Sequence, residues 1–159
     1  MNQRIAVVLF IFFLAFSSLA GQGFLKVKGK QIINERGENV LLRGIGLGGW
    51  MLQEPYMLQL SKAAGTQTEI RAKITDLIGA VNTERFYKSY RKNMITRRDI
   101  DSLKAWGFNS VRLPMHYNLF TLPIEQEPVK GQNTWLKEGF KLTDRLLKWC
   151  EKNEIYLIL

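Results

Sequence analysis

The run Ile155-Tyr156-Leu157-Ile158-Leu159 constrains the chain most. It holds five β-branched, aromatic or aliphatic residues with no polar alternation. A strand with one wet face alternates apolar and polar side chains. One without alternation is buried on both faces, the habit of parallel sheets. Parallel neighbours need a long crossover, usually a helix. Residues 136–153 supply one, with Leu136, Phe140, Thr143, Leu147 and Cys150 recurring every three or four positions. Before it, Asn109–Met115 reads as a further strand, and Gly44–Trp50, "GIGLGGW", as another.

Three helices are expected between those two strands. Thr66-x-x-Glu69 is a capping-box pattern, followed by Ile70, Ile74, Leu77 and Ile78 on one face and Gly79 as a stop. Thr83 is expected to cap a second helix carrying Phe86 and Tyr90. Thr96-x-x-Asp99 opens a third, with Ile100, Leu103 and Trp106 inward and Gly107 at its end. Upstream, Phe24–Arg43 has short apolar runs broken at Lys28-Gly29-Lys30 and at Glu35–Glu38, which predicts a β-hairpin or small meander. The succession is α/β. A chain that stops within its most apolar strand is expected to be the N-terminal piece of a longer protein.

Residues 1–20, "MNQRIAVVLFIFFLAFSSLA", have a basic start, an apolar stretch from Ile5 to Phe16, and small residues at Ser18 and Ala20. This is the layout of a secretory signal peptide, with cleavage expected after Ala20. The apolar stretch is short for a membrane span of about 20 residues, so export without a stable membrane anchor is expected. The formal net charge is +9, but the charges are dispersed. The densest group, Tyr90–Arg98, reads as a solvated face, so nucleic acid is not an expected partner. The lone cysteine, Cys150, cannot form an internal disulfide and reads as a buried core thiol. No Cys/His cluster has metal-ligand spacing, and no cofactor is implied.

Arg112 sits among Val111, Leu113 and Met115. A guanidinium does not enter apolar surroundings without a partner. In an α/β barrel the working residues lie at the C-terminal ends of strands and in the loops beyond. Here those are Trp50, Glu54 and Tyr56 after one strand, and Arg112, His116 and Tyr117 on and after the next. Acidic and basic hydrogen-bonding groups beside aromatic rings suit a sugar, whose hydroxyls need donors and acceptors and whose C–H faces need a flat apolar surface. Each residue also has a plainer reading. Trp50 and Tyr56 serve equally as core aromatics, Glu54 as a solvated loop acid, and His116 as a structural hydrogen-bonder.

"LLRGIGLGGWMLQEPY" from Leu41, "DSLKAWGFNSVRLPMHYN" from Asp101 and "WLKEGFKLTDRLLKWCEKNEIYLIL" from Trp135 together resemble glycoside hydrolase family 5, the cellulase and exo-β-glucanase group. The resemblance runs from about Phe24 to Leu159. It implies the first three strands of a (β/α)8 TIM barrel, preceded by a hairpin and spanning residues 21–159. It also implies a secreted retaining β-glycosidase hydrolysing O-glycosyl bonds of β-glucan-type polysaccharides, with two glutamates at the ends of the fourth and seventh strands. Both would lie beyond Leu159, leaving the 159-residue chain inactive by itself. Arg112 matches the arginine that keeps the nucleophile ionised. Glu54 and Tyr56 match substrate-lining positions, and Tyr117 a position where related enzymes place a tyrosine. A non-catalytic carbohydrate-binding protein built on the same barrel start is the alternative.

Overall fold

The computed structural model describes residues 23–127 and 129–159. The signal peptide expected over residues 1–20 lies outside them. Two compact units divide between Leu41 and Leu42. In the first, β1 (Lys26–Lys28) and β2 (Gln31–Ile33) form an antiparallel hairpin in which Val27 faces Ile32. Gly29 enters the turn at φ 61°, a left-handed conformation that glycine adopts without a Cβ penalty. The Asn34 side-chain oxygen then accepts from the backbone N–H groups of Arg36 and Glu38, closing the next turn. The expected hairpin is therefore present.

The second unit is built on β3 (Gly44–Gly46), β4 (Ser110–Arg112) and β5 (Tyr156–Ile158). They pair in parallel, in chain order, with Ile45 opposite Val111 and Val111 opposite Leu157. Between β3 and β4 lie α1 (Gln67–Ile78), α2 (Ala80–Asn93) and α3 (Arg97–Ala105), and between β4 and β5 lies α4 (Lys137–Lys152). Two short 3-10 turns, Tyr117–Leu119 and Ile124–Gln126, punctuate the loop before α4.

One core joins sheet and crossover helices. Val111 and Leu113 pack with Ile100 and Leu103 of α3 and with Leu142, Leu146 and Cys150 of α4, all buried. α3 and α4 also touch each other, so both crossovers cover one face of the sheet. Burial pushes the Cys150 thiol up to about 11, which keeps it neutral and inert, as a core thiol should be.

Local signals explain the helix starts. The Thr66 side chain accepts from the Glu69 N–H to open α1, and Thr96 with Asp99 forms a reciprocal capping box at α3. Other expectations are corrected. Thr83 is no cap. It is buried inside α2, its hydroxyl donating to the Gly79 carbonyl one turn back. Gly79, at φ 76°, ends α1 and begins α2 with no linker between them. Trp106 and Leu77 point outward, at 73% and 82% exposure. On α4 the buried stripe is Gly139, Leu142, Leu146 and Cys150, while Phe140 and Leu147 are exposed. Ile155, just before β5, is buried, while Ile158 at the end of β5 and Leu159 after it are exposed, β5 having a neighbour on one side within the three-stranded sheet.

Candidate functional site

The site builds on the loops leaving the C-terminal ends of β3 and β4. After β3 the chain turns at Gly49, whose φ of 78° excludes most side chains. It then comes back beside the other loop, because Met51 and Met115 form a parallel bridge and the His116 N–H donates to the Met51 carbonyl at 3.3 Å. Two loops far apart in sequence thus leave the sheet side by side.

On the first loop, Glu54 is half-buried and accepts a long hydrogen bond, 3.4 Å, from the exposed Tyr56 hydroxyl. Pro55 and the backbone bonds from Met57 and Leu60 fold the segment into compact turns. On the second loop, His116 Nδ1 accepts from the Asn118 N–H at 3.3 Å and caps the 3-10 turn. That bond leaves Nδ1 unprotonated and Nε2 as the donor. The imidazole lies against the exposed Tyr117 ring, centroids 4.4 Å apart.

Arg112 follows Val111, which is fully buried toward the helices. Adjacent residues in a strand face opposite ways, so Arg112 points off the other face of the sheet. It is exposed, and among the described residues its guanidinium has no hydrogen bond or ion pair. The charge that looked stranded in an apolar strand is therefore solvated on the open face.

Trp50 differs from the other candidates. It is 2% exposed and its indole N–H donates to the Arg91 carbonyl at 2.9 Å. It acts as a brace for the loop and offers no open ring face to bulk solvent.

Behind Trp50 stands a polar network that the sequence reading missed. The Tyr87 hydroxyl donates to the buried Gln53 side-chain oxygen at 2.9 Å, and the Tyr90 hydroxyl donates to the Gly49 carbonyl. Burial raises the pKa of both phenols above the usual tyrosine range. Arg71 and Arg91 lie over the Tyr87 ring, 4.7 and 5.7 Å from its centroid. Each is paired in turn, Arg71 with Glu84 and Arg91 with Glu138. These partners are 13 to 47 residues apart, so no local pattern announces them.

Parallel strands in chain order, joined by helical crossovers, with polar and aromatic side chains on adjacent loops at their C-terminal ends, define an α/β protein whose candidate site lies at the strand ends. Residues 61–159 match the model of cellulase, glycosyl hydrolase family 5. The chain belongs to that family. It is 35% identical over 136 residues to a β-xylosidase of Phanerodontia chrysosporium, covering 86% of this chain and 27% of that protein. It is 26% identical over 151 residues to a glucan 1,3-β-glucosidase of Candida oleophila, covering 91% and 34%. It is 34% identical over 74 residues to endoglucanase C of Acetivibrio thermocellus, covering 46% and 20%. The chain thus spans about a third or less of the length of these relatives.

Proposed function

We propose that this chain forms the opening of a (β/α)8 barrel in a secreted, retaining β-glycosidase that hydrolyses O-glycosyl bonds of β-glucan-type polysaccharides. One observation carries the reading. The loop carrying Glu54 and Tyr56 and the loop carrying His116 and Tyr117 are joined at their bases by the Met51–Met115 bridge, beside a strand whose Arg112 has no partner among the described residues. That group offers acceptors, donors and rings to a sugar. It contains no pair of facing carboxylates, which a retaining glycosidase needs about 5–5.5 Å apart. In this reading both come from strand ends outside these 159 residues, and Arg112 would hold the nucleophile ionised by its adjacent charge. The glucan 1,3-β-glucosidase and endoglucanase names of two relatives support a β-glucan, and the β-xylosidase name of a third keeps the shared class at β-linked glycans.

The complete reading frame carrying this sequence is the test object. Arg112→Ala should reduce turnover by orders of magnitude with the fold retained, and Arg112→Lys should rescue it in part, since an ammonium cannot make a planar two-pronged contact. Glu54→Gln should weaken binding of a β-glucan oligosaccharide in calorimetric titration. Near-normal turnover in both Arg112 variants would return the residue to a structural role. The 159-residue chain alone should hydrolyse no β-glucoside. Mature protein from an exporting host should begin at Gly21, and a start at Met1 would speak against the signal peptide.

A further inference from the structure

The carboxylate of Glu54 has little to hold it in place directly. Among the described residues its only side-chain hydrogen bond is the long one from Tyr56, which is itself exposed. Where the carboxylate sits is therefore decided by the backbone that carries it. That backbone is held from behind. Tyr90 of α2 donates to the Gly49 carbonyl, the Trp50 indole donates to the Arg91 carbonyl, and Met51 is bridged to Met115.

Gln53 is the last anchor before Glu54 and the most closely held. It is buried, and its side-chain oxygen accepts from the Tyr87 hydroxyl at 2.9 Å. Its backbone N–H donates to the Gln67 side-chain oxygen at 3.2 Å. A side-chain hydrogen bond between Gln53 and Tyr90 opposes the rise in the Tyr90 pKa that burial imposes. Main chain and side chain of one residue are thus fixed to two helices, to α1 through Gln67 and to α2 through Tyr87 and Tyr90. Tyr87 is immobilised in turn, buried with Arg71 and Arg91 over its ring. A loop that had only to cover α2 could do so with an apolar side chain at this position. A buried amide adds little net stability once its hydrogen bonds are made. What it adds is direction, because those bonds fix distance and angle.

We propose that Gln53 and Tyr87 are positioning residues, whose contacts with each other and with Gln67 hold the neighbouring Glu54 carboxylate where it meets the sugar. The inference rests on the reading of Glu54 as a sugar contact in the glycosidase proposed above. Gln53 and Tyr87 are buried and act through the loop backbone, without touching the glycan themselves. A binding group has to be held to within about 0.5 Å of its working position by the residues packed behind it, and the Tyr56 hydroxyl alone does not do that for Glu54.

The full-length protein carries the test, by calorimetric titration with a thio-linked β-glucan oligosaccharide, which is not hydrolysed, and by ¹⁵N relaxation of the Glu54 amide. Tyr87→Phe should raise the Kd about three- to tenfold, since losing one neutral hydrogen bond lowers the fraction of molecules whose loop is in its binding geometry. Gln67→Ala should act in the same direction. In a Glu54→Gln background Tyr87→Phe should weaken binding no further, because the group being positioned has gone. The Glu54 amide should become mobile on the ps–ns timescale in Tyr87→Phe. Leu146→Ala, in the core under the sheet, is the control for general destabilisation and should leave both affinity and Glu54 order unchanged. Three results would overturn the proposal: a Tyr87→Phe protein with normal affinity and a rigid Glu54, losses that multiply in the double variant, or an equal loss of affinity in Leu146→Ala. Normal affinity in Glu54→Gln would sink the sugar contact instead. The positioning would then stand if Tyr87→Phe mobilised the Glu54 amide and fall if it did not.

Discussion

The crossover helices α3 and α4 and the helix pair α1–α2 occupy the same unit but are held by different forces. α3 and α4 bury aliphatic side chains against the sheet, with Ile100 and Leu146 fully enclosed. The central core cluster draws no residue from α1 or α2. Each helix of that pair buries little, Ile70 in α1 and Thr83 and Tyr87 in α2. α2 is fastened by hydrogen bonds and an ion pair, Tyr87 to Gln53, Tyr90 to Gly49, Trp50 to Arg91 and Arg91 to Glu138, while Gln67 of α1 accepts from the Gln53 N–H. Apolar burial is non-directional and scales with area, so it suits elements that must simply cover a sheet. Hydrogen bonds fix angles and leave hydrated gaps, so they suit a pair that shapes loops.

Thermal unfolding of variants in the full-length protein can break or sharpen that contrast. The largest loss should come from Leu146→Ala, about 2–5 kcal/mol, since the site is closed on all sides. Gly139→Ala should cost about 1–3 kcal/mol despite the better helix propensity of alanine. A Cβ there would lie 2.6 Å from the Leu119 carbonyl and 2.8 Å from the Phe120 ring, and the carbonyl belongs to backbone that cannot step aside cheaply. Tyr87→Phe should cost about 1–2 kcal/mol, because it removes the donor to the buried Gln53 oxygen. Glu138→Gln should cost less than about 1 kcal/mol, since that carboxylate is half-exposed and its ion pair with Arg91 is screened. If Tyr87→Phe proved as costly as Leu146→Ala, the two regions would not differ in kind.

The same contrast decides what the sequence could reveal. Strand order, crossover helices and two of the helix starts rest on local signals: apolar period, Thr66 with Glu69, and Thr96 with Asp99. They were legible. The α4 face was misjudged because two apolar stripes run side by side, and the buried one includes Gly139, which no hydrophobicity pattern marks. Gly139 is buried for lack of room against Leu119 and Phe120, a property of a distant loop. Thr83 looked like a cap because a threonine before a charged helix turn has the same composition whether it caps or back-bonds within the helix. In the candidate site, Glu54, Tyr56, His116 and Tyr117 could be named from strand-end position. What could not be read was the Met51–Met115 bridge that sets their loops together, or that Trp50 is enclosed. The Gln53–Tyr87–Arg91 network had no signal, because its partners meet through tertiary structure alone.

The carbonyl of Arg91 belongs to the last turn of α2, where helix carbonyls lack intrahelical partners. It accepts from the Trp50 indole at 2.9 Å and from Arg145 of α4 at 3.4 Å. One peptide oxygen is thereby a rivet through three parts of the chain. In amide hydrogen exchange, a cooperative unit opens at its weakest boundary and is held at its strongest. The α1–α2 pair should accordingly peel from the α1 side. Amides near Arg91 should exchange last within the pair, on the timescale of the α4 core, while those around Leu77 exchange early. A single oxygen would then set how far local opening can travel before it becomes global unfolding.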